Sequence, residues 1–242
     1  MKYLKKFETQ ADYEAAQSGL ILPNVSLITE TNGVAYSPYI DPCKQYDYVE
    51  IGGIKWATKN VGACNVTDTG LYFQWGDTSG YTASQVGTDK IFDWANYKYC
   101  DGTHSNMTKY NSTDGKTILD LSDDAARTNW GGNWRMPTID EVQVLKNAIT
   151  SAWTSDYNDS GVAGLICTDK TDSSKVLFFP ACGFANGNGV WEVNTKCNYW
   201  TSSLDTMYLN SAYEFVLHDN GGYWQWSSWR QSGFQVRGVL DE

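Results

Sequence analysis

The stretch NYWTSSLDTMYLNSAYEFVLHDNGGYWQWSSWRQSGFQVRGVL, residues 198–240, decides how this chain is read. It holds three strand-sized runs, NYWTSS, SAYEFVLHD and GFQVRGVL, each bounded by Gly, Asn or Asp. In SAYEFVLHD, Tyr213, Phe215 and Leu217 fall on one face and Glu214, Val216 and His218 on the other. The first set suits a core, and in the last run Phe234 and Val236 likewise face inward, followed by the small Gly238. Between these runs lies GGYWQWSSWRQSG, residues 221–233. There Tyr223, Trp224, Trp226 and Trp229 are interleaved with Gln225, Ser227 and Ser228 and followed by Arg230. Aromatics buried in a strand alternate with other apolar residues, and these do not. Tyr and Trp cover much contact area at little entropy cost, so they dominate binding hot spots. The segment is expected to be an exposed binding face mounted on strands.

Upstream, KVLFFPACGF is another strand-sized run. MPTIDEVQVLKNAI predicts a helix, with Thr138 and Glu141 as a capping box and Val142, Leu145 and Ile149 on its apolar face. LSDDAARTNWGG predicts a shorter one, capped by Ser122, ended near Gly131, and with Asp123 and Asp124 at its positive end. YVEIGGIKWATKNV reads as a hairpin around Gly52-Gly53. Residues 62–118 are mostly loop, pinned by aromatics in GLYFQWGD and FDWANYKYC. Near the N-terminus a helix is expected at about residues 10–18 and a hairpin around Asn32-Gly33, then Pro38 and Pro42. Residues 1–42 are therefore taken as an attachment or oligomerisation segment, and 43–242 as the main domain. The class is α+β, with two short helices in an antiparallel, loop-rich domain.

Composition narrows the function. The chain has 242 residues, 41% hydrophobic and 19% charged, which describes an ordinary folded protein. Its net charge of −10 argues against nucleic acid, which needs a positive field. Six cysteines without a CxxC pair argue against zinc and redox motifs. The start shows no apolar segment of signal-peptide type, and no stretch reaches membrane-span length, so synthesis in the cytoplasm with core thiols is expected. His104 and His218 lack partners at ligand spacing, and nucleotide-binding loops, a nucleophile elbow and an EF-hand are missing. DLSDD and SDYNDS read as caps and turns. No cofactor, metal or catalytic residue is expected.

At KWATKNVGA, DWANYKYC, LSDDAARTNWGGNWRMPTIDEV and GFQVRGVL the chain resembles the Fibrobacter-type major paralogous domain, over about residues 46–240. That family is similar to the formylglycine-generating-enzyme branch of the C-type lectin fold. The resemblance implies a twisted antiparallel core with long loops and two flanking helices. It does not carry activity across: the C-terminal cysteine pair and RGGSW-like segment of those enzymes are missing, as are the EPN or QPD and WND motifs of calcium lectins.

Residues from about 197 to 240 further resemble the variable region of proteins diversified by retroelements, where chosen codons are rewritten on a kept scaffold. YLKKFETQADYEAAQSGLILPNVSLITETNGVAYSP resembles the leader of tail-associated proteins from phages of gut bacteria. The resemblance implies a non-enzymatic receptor-binding protein at a phage tail tip, in the virion, meeting a host cell-surface protein or glycan without inserting into a membrane. A homo-oligomer, by family analogy a trimer, would add avidity. Expected contact residues are Asp205, Met207, Tyr208, Asn210, Glu214, His218, Tyr223, Trp224, Trp226, Ser228, Trp229 and Gln231. The alternative reading is a carbohydrate-binding protein or cell-surface adhesin of gut bacteria. Glycan processing would further need two carboxylates about 5 to 9.5 Å apart.

Overall fold

A computed structural model describes residues 42–242 and the strand backbones at 29–31 and 34–36. The chain forms two compact units, Met1–Gln45 and Tyr46–Glu242. In the first, β1 (Thr29–Thr31) pairs antiparallel with β2 (Val34–Tyr36), Thr31 opposite Val34, as the expected hairpin requires. The helix expected at about residues 10–18 lies outside the described residues.

The second unit opens with β3 (Tyr48–Ile51) and β4 (Ile54–Ala57). Ile51 stands opposite Ile54 across Gly52 and Gly53, whose φ of 64° and 77° suit a two-residue turn. The last strand, β14 (Val239–Leu240), pairs with β4 and with β5 (Trp134–Arg135), which ties the end of the chain to the start of the unit.

Two α-helices follow in the sequence. The first, α1 (Ala125–Trp130), is capped by Asp124 rather than by Ser122 as expected. One Asp124 oxygen accepts from the Arg127 N–H at 2.9 Å and the other from the Met136 N–H at 2.7 Å. A carboxylate can hold both the helix start and a distant strand; a serine hydroxyl at 122 cannot reach either. The second helix, α2 (Ile139–Ala148), has the expected capping box: the Glu141 N–H donates to Thr138 Oγ1 at 3.2 Å, and the Thr138 N–H to Glu141 Oε2 at 2.7 Å. Arg135 braces this start, its guanidinium donating to Glu141 and to both oxygens of Asp241. Val142 and Leu145 are buried; Ile149, also buried, begins β6.

The remaining strands are β6 (Ile149–Thr154), β7 (Gly164–Asp169) and β8 (Val176–Pro180) in one sheet, and the hairpin β9 (Phe184–Asn186) with β10 (Gly189–Trp191). A further sheet, in the order β11-β12-β13, joins β11 (Cys197–Leu204), β12 (Ser211–Leu217) and β13 (Tyr223–Trp229). Each ladder among the described strands is antiparallel, so the unit is α+β and strand-rich. No helix among the described residues is long and apolar enough to cross a membrane.

Two hydrophobic cores meet at the β11-β12-β13 sheet. Tyr199 and Phe215 join Val142, Leu145, Trp56 and Phe179 in one. Trp200 and Ala212 join Trp75, Tyr110, Phe234 and Val236 in the other. Alternate residues of β11 and β12 thus feed opposite cores, and β12 is buried on both faces. Gly238 lies where a Cβ would come within 2.6 Å of the Trp130 ring, which is why the chain end needs a residue without a side chain there.

Candidate functional site

The exposed aromatics lie on β13, the outer strand of its sheet, and on the turn between β11 and β12. Met207, Tyr208, Tyr223, Trp226 and Trp229 keep 78%, 61%, 57%, 53% and 56% of their surface in solvent. The register Ser211–Trp229, Ala212–Ser228, Tyr213–Ser227 and Glu214–Trp226 sends Trp226 and Ser228 to one side of β13 and Ser227 and Trp229 to the other. The register then shifts, so that Val216 meets Tyr223. The extra residue lets Trp224 turn inward, where its ring stacks parallel to Phe215 at 6.3 Å.

The four rings expected on one exposed face therefore occupy three places. Trp224 is buried in the core beside α2, whose Gln143 Nε2 donates to the Trp224 carbonyl at 2.9 Å. Tyr223 and Trp226 lie 5.2 Å apart between ring centroids, with His218 5.6 Å beyond Tyr223. Trp229 sits instead beside Trp94, at 6.3 Å. A shallow depression lined by Tyr213, Gln225, Trp226 and Ser227 runs along the strand.

Three other expected contact residues are buried, each for a visible reason. Asp205 Oδ1 accepts from the backbone N–H of Met207 at 2.9 Å and of Tyr208 at 3.3 Å, shaping the turn that holds those two side chains out. Gln231 is tucked in, its Nε2 donating to Asn186 Oδ1 at 3.2 Å. Glu214 lies inside the sheet, accepting from Asn198 Nδ2 at 3.1 Å and from the Ser228 hydroxyl. It forms no ion pair among the described residues, and burial pushes its carboxyl up to about 7. Asn210, His218 and Ser228 are half-buried.

The residues that hold this surface in place include two arginines that sequence reasoning missed. Arg230, at the end of β13, is completely buried. Its guanidinium donates to Tyr97 Oη at 2.7 Å, Leu209 O at 2.8 Å, Lys109 O at 3.0 Å and Tyr110 O at 3.2 Å, and lies 4.8 Å from the Trp75 ring centroid. Arg237, also completely buried, donates to Asn60 Oδ1, Ala57 O and Phe178 O and stacks over Phe179 at 4.7 Å. Neither makes an ion pair among the described residues; neutral acceptors and ring faces replace the counter-charge. Nothing local in SSWRQS distinguishes Arg230 from a solvated arginine.

The loop whose carbonyls Arg230 reads is itself fixed. Tyr110 Oη donates to Asp123 at 2.6 Å, and the Lys109 ammonium pairs with Asp123 and Asp120. Burial alone would raise the Asp123 carboxyl, but Lys109, Tyr110 and Tyr99 hold it down at about 2. Cys100, Cys167, Cys182 and Cys197 are free thiols. Among the described residues, no three His, Cys, Asp or Glu side chains gather where they could hold a metal. The chain matches no protein-family model, no curated protein and no solved structure.

Proposed function

We propose that the protein is a non-enzymatic receptor-binding protein, carried at a phage tail tip, that presents a retroelement-diversified surface on a C-type lectin-like scaffold. One observation supports this above the others. Between residues 205 and 230 five large side chains keep more than half of their surface in solvent, while the residues that fix the turn and strands beneath them are buried. Asp205, Glu214, Trp224 and Arg230 do the holding; Met207, Tyr208, Tyr223, Trp226 and Trp229 are free to change. A surface that is to be rewritten needs this division, because substitutions away from cores and caps shift stability by only about ±0.5 kcal/mol.

The ligand is a host cell-surface protein or glycan, met by exposed aromatics whose rigid rings lose little entropy on binding. Residues 1–42 attach the particle or join copies of the chain, and linked sites multiply weak affinity. Replacing Met207, Tyr208, Trp226 and Trp229 together by Ala in the full chain abolishes binding to host cells and leaves the thermal midpoint near that of the parent. Collective unfolding overturns the reading. Sequencing the gene from many copies checks diversification separately: substitutions confined to about residues 197–232 and traceable to template adenines are expected.

A further inference from the structure

The outer edge of β13 carries more information than its rings. The Arg230 N–H donates to the Asn210 carbonyl at 3.0 Å, which fixes the phase of the ladder. In an antiparallel pair, bonded positions recur every second residue. Ser228 and Trp226 therefore turn their backbone groups toward β12, and Ser227 turns both N–H and C=O outward, as does the Trp229 N–H. Neighbouring groups are already taken: the Trp229 carbonyl accepts from the Ser232 N–H at 2.9 Å, and the Trp224 carbonyl from Gln143. Among the described residues, the open row at Ser227 and Trp229 is thus a short unpaired strand edge.

Proteins usually blunt such edges with Lys, Pro or a covering element. Residues 220–229, NGGYWQWSSW, contain no charged residue and no proline. Trp226 and Trp229 project to opposite sides of the strand, flanking Ser227. A chain laid along Ser227 would have an indole against each of its faces. A sugar has no use for a row of outward main-chain donors and acceptors, whereas an added strand draws its affinity from that row and sets alternate side chains against the rings on either side. The net charge of −10 favours a partner segment that is neutral or basic over an acidic one.

We propose that β13 takes its ligand by strand addition: an extended, neutral or basic segment of a partner protein pairs with the backbone of Ser227 and Trp229, its faces clasped by Trp226 and Trp229. This rests on the receptor-binding reading and names its partner class. Specificity then comes from the two rings and affinity from main-chain bonds that survive rewriting of side chains.

The test uses the full chain and a displayed library of random peptides about ten residues long, with a glycan array beside it. Ser227→Pro removes the outward N–H without touching a bond to β12, a position where an edge strand tolerates proline. Peptides enriched on the parent chain should bind the S227P variant about tenfold or more weakly, with its thermal midpoint little changed. Adding such a peptide to the parent chain should also slow amide exchange at Ser227 and Trp229, which decides the matter even if the S227P variant fails to fold. Peptides that bind without protecting these amides overturn strand addition. Glycan binding with no enriched peptide also overturns it, while leaving the receptor-binding reading standing. Loss of neither host-cell binding nor peptide binding in the four-alanine variant sinks that reading instead.

Discussion

β13 and the eight residues after it have opposite fates. In Tyr223–Trp229 three of four large rings stand in solvent, while in Arg230–Arg237 two arginines and two glutamines are buried with Phe234 and Val236. What separates them is the supply of partners. The turn and loop carbonyls of Leu209, Lys109 and Tyr110 converge where Arg230 enters, so its donors lose water and gain protein acceptors. Trp226 and Trp229 lie on the outer strand of their sheet and keep about half of their surface in solvent, and the ring that joins a core, Trp224, does so because a register shift turns it inward.

The sharpest way to break this comparison is at its buried polar end. Arg230→Ala strands three backbone carbonyls and the Tyr97 hydroxyl, and is expected to cost about 4 kcal/mol in urea unfolding. Arg230→Lys should recover only part of this, since an ammonium cannot fork to acceptors on three segments. A wild-type melting curve for R230A would mean that the loop and strand are not held through this residue.

Within β13 itself, Trp224→Ala is expected to cost about 3 kcal/mol, the range of a buried aromatic deletion. Trp226→Ala and Trp229→Ala should each stay within about 0.5 kcal/mol while weakening ligand binding. Equal losses at 224 and 226 would erase the distinction between core and display positions on this strand.

Between those extremes lies Glu214. Its folded value of about 7 exceeds the ordinary 4.5, so the folded state holds the proton more tightly than the unfolded one. That contribution to stability is full below about 4.5 and is lost as pH rises through about 7. Glu214→Gln, whose amide oxygen keeps an acceptor for Asn198 while its NH2 donates to the Ser228 hydroxyl, should flatten stability between pH 5 and 8 and gain on the order of 2 kcal/mol at pH 8. Urea midpoints measured across that range check it; an unchanged slope would place the carboxylate in water.

Much of the scaffold was legible because its signals are local. The capping box at Thr138 and Glu141, the Gly52-Gly53 turn, and the inward set Phe215, Leu217, Phe234 and Val236 each depend on residues a few positions apart. The helix cap at Asp124 was misplaced to Ser122, since its second partner, the Met136 N–H, belongs to a later segment. In the candidate site the outcome was divided. Met207, Tyr208, Tyr223, Trp226 and Trp229 stand exposed, but Asp205, Glu214, Trp224 and Gln231 turn out to be supports. Two-residue alternation puts Glu214 opposite the Phe215 face correctly; it cannot say that a second core covers that face too.

The sequence by itself determined that this chain would be an antiparallel, loop-rich α+β unit with an unusual concentration of aromatics late in the chain, because periodicity, caps and turns are properties of neighbours. Tertiary structure alone decided which of those aromatics meet solvent and which arginines vanish from it. Burial of a charge depends on acceptors brought from Tyr97, Lys109, Tyr110 and Leu209 to a single point, and no window of sequence contains them together.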